Sequence, residues 1–348
     1  MTEHTANPRS SSGLQGIAVV GSGRALPGNT VSNDALRAVV DTTDEWIRSR
    51  TGIGARRLAG PGETVTTMAT AAAQSALGLA GWRADQIDLI LLATSSPDDL
   101  FGTAPRVQAA LGARHAVAFD LTAACSGFLF ALVTAAQYIR TGSARRALVI
   151  GADQLSRWVD WSDRRTCVLF GDGAGALAIE GCARENDDLL AHRLRSDGTR
   201  NACLTLAQEE QFRELLSGIS TQVGGFKPLF MNGQEVYKFA VREVPLVLAD
   251  VLQEAGLGAH QIDWLLLHQA NQRILDAVAE RFALPADRVL SNLESYGNTS
   301  AATIPLMLDE AVRRGQVQPG HLLATSGFGA GLSWGAAVLR WSGPSVST

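Results

Sequence analysis

The sequence predicts an α/β protein whose chain is built twice. Residues 80–93 read AGWRADQIDLILLA and residues 255–268 read AGLGAHQIDWLLLH, about half a chain apart. The matches are Ala80/Ala255, Gly81/Gly256, Ala84/Ala259, Gln86/Gln261, Ile87/Ile262, Asp88/Asp263, Leu91/Leu266 and Leu92/Leu267. Each copy follows a helical pattern that closes at a glycine, then enters an apolar run of the kind a buried strand shows. Apolar runs and helical patterns also alternate along the chain, which argues for α/β halves with sheets buried on both faces. The same spacing carries Cys125 onto Ser300, and residues 147–151 onto 322–326. Two halves, 15–185 and 186–348, are expected to pack about a pseudo-two-fold axis, behind a polar, disordered lead-in over 1–14.

Composition narrows the function classes. Hydrophobic residues make up 46% and charged residues 18%, enough for a large core. A net charge of -4 gives no basic footprint for nucleic acid. Apolar stretches such as 128–136 fall well short of the roughly 20 residues of a membrane span. Residues 1–13 lack the apolar centre of a signal peptide. Cys125, Cys167, Cys182 and Cys203 form no C-x-x-C pair and no zinc spacing with histidine. Neither a structural metal nor a disulfide framework is expected, and a reducing cytoplasm suits this usage.

Residues 116–121 read as a strand, 122–124 as a turn of small residues, and the stretch from Ser126 to Gly142 as a buried helix. Cys125 therefore stands at a strand-to-helix junction. Unpaired N–H groups and the helix dipole there favour a thiolate and can hold an oxyanion. A free cysteine is more often a small core residue, the reading preferred for Cys167. Cys182 and Cys203 lie in or beside loops.

The second half supplies partners. His268 ends the apolar run 265–267 and leads into a helix over 273–282, whose dipole would hold the imidazole neutral. Asn298, in YGNTSA, is by itself only a turn and cap signal. The internal symmetry places it opposite Cys125, where an uncharged N–H donor suits a carbonyl that becomes an enolate. The loop 171–175 (GDGAG) lacks a phosphate-loop lysine and reads as a turn where backbones pack closely. The loop 327–331 (GFGAG) could set a second N–H beside Cys125, or be a tight turn.

Together these residues resemble the β-ketoacyl-acyl carrier protein synthase III family of the thiolase-like superfamily, from about Gly16 to Trp341. The stretches that carry the resemblance are 43–47 (TDEWI) with 50–53 (RTGI), 123–127 (AACSG), 170–175 (FGDGAG), 268–271 (HQAN), 297–300 (GNTS) and 327–331 (GFGAG). The resemblance implies a five-layer αβαβα fold, a cytoplasmic homodimer, and condensation of acetyl-CoA with malonyl-acyl carrier protein to acetoacetyl-acyl carrier protein and CO₂, with acyl-CoA as a substrate and no cofactor. It implies Cys125 as nucleophile, His268 and Asn298 as holders of the malonyl thioester carbonyl, and an oxyanion hole from the N–H groups of Cys125 and Ala330. It assigns Trp46, Arg50, Arg164 and Gln234 to CoA, and Phe101 to the acyl pocket of a partner subunit. Arg273, Lys238 and Arg281 are candidates for docking the acidic carrier protein.

Three features depart from the family pattern: Gln234 where Asn is frequent, Glu280 beside Arg281, and a long stretch over 207–227. The competing readings are a relative with another starter in specialised metabolism, a degradative thiolase, an elongating condensing enzyme, a cysteine hydrolase and a non-catalytic binding protein. The loop 327–331 has no second cysteine, which speaks against the thiolase; Asn298 speaks against the elongating enzymes, which use two histidines.

Overall fold

The computed structural model describes residues 15–346; the lead-in expected over 1–14 lies outside them. The first half supplies β1 (Gly16–Ala25), β2 (Leu89–Ala93), β3 (Val117–Leu121), β4 (Arg146–Asp153) and β5 (Gly173–Cys182). The second supplies β6 (Leu189–Ser196), β7 (Trp264–Leu267), β8 (Val289–Leu290), β9 (Leu322–Gly329) and β10 (Ser333–Arg340). They form two five-stranded sheets, β1-β5-β4-β2-β3 and β6-β10-β9-β7-β8, in the same order strand for strand. The pairs β4–β2, β2–β3, β9–β7 and β7–β8 are parallel and the others antiparallel.

The helices longer than one turn are α1 (Asp44–Thr51), α2 (Val65–Ala80), α3 (Ala104–Leu111), α4 (Gly127–Arg140), α5 (Gly233–Glu254), α6 (Gln272–Arg281) and α7 (Thr303–Arg313). Strand alternation decides where each packs. Leu89 and Leu91 of β2 and Leu266 of β7 point into a central layer with Phe128 and Leu132 of α4 and Ile304 and Leu308 of α7. Ile90 and Leu92 face α2 and α3 outside the first sheet. Leu265 and Leu267 face α5 and α6 outside the second. Helix, sheet, paired helices, sheet, helix make five layers.

The repeated segment has the same structural task in both halves. Gln86 and Gln261 each accept a backbone N–H three residues upstream at 2.9 Å, from Arg83 and Gly258. Asp88 accepts the N–H of Arg146 at 2.9 Å and Asp263 that of Leu322 at 2.7 Å, so each carboxylate pins the start of a central strand. Leu89 pairs with Ala147 and Trp264 with Leu323. The counterpart of Ala147 is thus Leu323, one residue beyond the Leu322 that equal spacing implies.

Candidate active site

Ala124, with φ 48°, begins the short 3-10 turn Ala124–Ser126 that leads into α4. A left-handed residue other than glycine costs about 1–3 kcal/mol and turns the chain sharply. Ser300, with φ 52°, begins the matching turn Ser300–Ala302 before α7. Ala124 therefore matches Ser300, and the counterpart of Cys125 is Ala301, which corrects the Cys125–Ser300 pairing. One extra residue between Asp263 and Ser300 accounts for the slip.

Cys125 lines a cavity of about 1060 Å³ together with His268, Asn298, Ser300, Phe328 and Ala330. The thiol is buried, and burial pushes its pKa up to about 12. That rise costs on the order of 4 kcal/mol, against the 0.3–2 kcal/mol a helix start supplies. Burial thus weighs against the thiolate that the helix start favours. The Ser300 hydroxyl opposes the rise and the Asp153 carboxylate adds to it. Ser300 Oγ is buried and makes no hydrogen bond of normal geometry.

His268 follows β7 directly, and its N–H donates to Ser326 O at 2.8 Å, extending the β7–β9 pairing. The ring meets Phe328 edge to face, centroids 5.4 Å apart. Burial lowers its pKa to about 3, so the imidazole is neutral as expected but for a different reason: α6 begins only at Gln272, and desolvation is the cause. Nδ1 is sealed without a partner, which leaves Nε2 for the cavity.

Asn298 is fixed by its backbone and side chain together. Its N–H donates to Leu169 O at 2.9 Å, and its carbonyl accepts from Gly171 N at 3.0 Å. Its Oδ1 accepts from Ser300 N at 2.8 Å, which turns Nδ2 away from that bond. The stretch 171–175 packs closely against backbone as expected, Gly171 against Tyr296 and Gly175 against Pro305 and Leu306, but it is not a turn: residues 173–175 begin β5. The stretch 327–331, whose first three residues are the end of β9 and not a loop, lies against Cys125: a β-carbon added at Gly329 would stand 2.5 Å from the Cys125 nitrogen.

The other predicted residues divide. The guanidinium carbons of Arg50 and Arg164 lie 4.6 and 5.0 Å from the centre of the Trp46 ring, and Arg50 lines the cavity. Gln234 is exposed on the first turn of α5 and does not line the cavity, although its neighbours Gly233, Val236 and Tyr237 do. Phe101 is fully exposed and lies outside the cavity of its own chain. Arg273 is at the cavity wall, 5.8 Å from the Tyr237 ring centre. Lys238 is paired with Glu235 at 2.9 Å, and Arg281 is exposed at the end of α6. The long stretch over 207–227 contains an exposed hairpin, Gln211–Leu216 with Ile219–Val223, whose base sends Phe226 to the cavity wall against Trp158.

Sequence reasoning missed Asp153. Fully buried, it accepts from Ser95 N at 2.8 Å, Ser96 Oγ at 2.7 Å, Thr94 Oγ1 at 3.1 Å and, across the halves, Ala301 N at 3.1 Å. The signal was an acidic residue closing an apolar strand, a costly choice unless its oxygens are used. Among the described residues, no cluster of three His, Cys, Asp or Glu could hold a metal ion, and no helix is long and apolar enough to cross a membrane.

Two matched sheets around a shared helix layer are the thiolase-like architecture, which belongs to acyl-transferring condensing enzymes. Residues 119–198 match the family model described as 3-oxoacyl-[acyl-carrier-protein (ACP)] synthase III, and residues 252–341 match that of its C-terminal part. A β-ketoacyl-[acyl-carrier-protein] synthase III of Synechococcus sp. (strain RCC307) is 67% identical over 331 residues, covering 95% of this chain and 99% of the relative. The crystal structure of 3-oxoacyl-[acyl-carrier-protein] synthase III from Aquifex aeolicus VF5 superposes with a TM-score of 0.85 at 43% identity, covering 94% of this chain and all of that one. The priming β-ketosynthase of the R1128 polyketide biosynthetic pathway gives 0.88 at 33% identity, covering 97% of this chain and 100% of that one. The chain belongs to the β-ketoacyl-acyl carrier protein synthase III family.

Proposed function

We propose that this acyltransferase joins a short acyl group from acyl-CoA, acetyl-CoA first among them, to malonyl-acyl carrier protein, through a thioester on Cys125. The observation that carries the reading is the convergence of Cys125, His268 and Asn298, drawn from opposite halves, on one cavity. Cys125 sulfur attacks the acyl-CoA carbonyl, its proton goes to the departing CoA sulfur, and the oxyanion rests on the N–H groups of Cys125 and Ala330. The malonyl thioester then binds with its carbonyl oxygen on His268 Nε2–H and Asn298 Nδ2–H. The bond to the carboxylate breaks, CO₂ leaves, and these neutral donors hold the enolate. Its carbon attacks the acyl group, and the released Cys125 sulfur regains a proton from water. A neutral His268 is what this step needs, since it donates a hydrogen bond without giving up its proton to the enolate.

Trp46 with Arg50 and Arg164 is the proposed nucleotide end of the CoA site, a stacking surface flanked by two cations. The exposed Gln234 gives the pantetheine contact little support. Phe101, exposed on its own chain, suits insertion into a partner's acyl pocket in a homodimer. Arg273, at the cavity wall, is the best placed of the three candidates for carrier-protein docking; Lys238 is occupied by Glu235. The division at 185/186 falls between the last strand of one sheet and the first of the other. A cytoplasmic location is supported by four free cysteines.

The test is acylation. Wild-type protein incubated with acetyl-CoA gains the mass of one acetyl group; Cys125→Ser does not. An equal gain in the variant refutes the nucleophile.

A further inference from the structure

Arg56 lies outside the cavity and is wholly buried, yet no carboxylate pairs with it among the described residues. Burial lowers its pKa only to about 10, so it is charged at neutral pH. Its guanidinium donates to three neutral oxygens on two distant stretches of the chain: Val31 O at 3.1 Å and Asn33 Oδ1 at 2.8 Å on one, and Val168 O at 2.8 Å on the other. A buried, uncompensated cation costs several kcal/mol, and an apolar side chain of like volume would fill the space. The planar fork, reaching three oxygens across two stretches, is what such a side chain lacks.

Val168 immediately precedes Leu169, whose carbonyl accepts the Asn298 N–H at 2.9 Å. The β-carbon of Arg56 also lies beneath this contact, 3.6 Å from where a side chain at Gly297 would begin and 3.3 Å from the same point at Gly171. In the other direction Asn33, itself fully buried, donates to Asp44 Oδ1 at 2.9 Å and Ile53 O at 2.7 Å. Asp44 opens α1, which carries Trp46 and Arg50.

We infer that Arg56 is a positioning residue for Asn298: by holding the Val168 carbonyl it fixes the chain immediately before Leu169, whose own carbonyl holds the Asn298 N–H. This rests on the reading of Asn298 as an enolate holder. A positioning role separates the two half-reactions, because Asn298 has no part in the acylation of Cys125.

The experiment measures acyl-enzyme formation from acetyl-CoA and labelled CO₂ release from malonyl-acyl carrier protein, in Arg56→Lys and Arg56→Met, each alone and with Asn298→Ala. Arg56→Lys keeps the charge but cannot span the three oxygens, and it carries the test if Arg56→Met does not fold. Acylation is expected to stay within about twofold while CO₂ release falls about tenfold. In the Asn298→Ala background Arg56→Lys should cause no further fall. Equal losses in both half-reactions, or a full tenfold further loss without Asn298, overturn the positioning role. Unchanged CO₂ release in Asn298→Ala alone overturns the assignment of Asn298 itself, and the Arg56 inference with it.

Discussion

At the start of α4 the N–H of Cys125 faces Gly329 of the other half, whereas at the start of α7 the matching N–H of Ala301 donates to Asp153 at 3.1 Å. Asp153 and Gly329 are themselves counterparts, the last residues of β4 and β9. The two junctions share a backbone: a left-handed residue, a short 3-10 turn, then a helix in the central layer. What differs is the side chain that the opposite half presents. A carboxylate uses up one helix-start N–H; a glycine leaves no side chain over the other. One duplicated frame thus yields two unequal junctions.

This comparison can be broken most sharply at Gly329. Gly329→Ala puts a carbon 2.5 Å from the Cys125 nitrogen. Acyl-enzyme formation should fall by about 10²–10³-fold, the usual cost of losing an oxyanion donor, as measured by rapid-quench mass spectrometry. Gly327→Ala is the control on the same strand, since its β-carbon would stand 3.6 Å from the Cys125 carbonyl oxygen. Equal rates in the two variants would show that Gly329 leaves nothing open.

On the other side, Asp153→Ala strips three buried donors and one half-buried donor of their acceptor. Stability should drop by about 2–4 kcal/mol in urea titrations. A loss under about 1 kcal/mol would mean that Asp153 does not hold the α7 junction in place.

The smallest effect separates His268 from its counterpart in the repeat, Ala93. His268 is neutral in the fold, with its pKa lowered from 6.5 to about 3. Below pH 6.5 the unfolded chain takes up a proton that the folded chain refuses. Stability is therefore fully present above the unfolded pKa and declines as pH falls from 6.5 towards 3, by up to about 1.4 kcal/mol per pH unit. His268→Ala should lose that share of the slope when urea midpoints are compared at pH 7, 6 and 5. Identical slopes would place the imidazole in a more hydrated site.

Much of the site was legible in the sequence because the repeat has a physical cause. Gln86/Gln261 and Asp88/Asp263 cap and pin the same strands, so the pattern survives where the structural demand does. Cys125 and His268 were singled out because strand ends and helix starts leave polar backbone groups that reactive side chains use; Asn298 needed the repeat, and the joint role of the three is what the family resemblance implies. The register of the repeat was read one residue short, since an added residue between Asp263 and Ser300 leaves no mark on composition or periodicity. The burial that opposes a thiolate could not be read, because position at a helix start is visible in sequence and depth of burial is not.

By itself, then, the sequence determined the strand and helix order, the duplication and the three residues that meet in the cavity, all properties of local pattern and chemical type. Only the tertiary structure decided their electrostatic state and their supports. Burial raises the Cys125 pKa and lowers that of His268; Asp153 and Gly329 make the two halves unequal; and Arg56 gains its place beneath Asn298 from stretches far apart in the chain. Desolvation and long-range hydrogen bonds depend on which segments lie side by side, and that is settled only when the two halves close on each other.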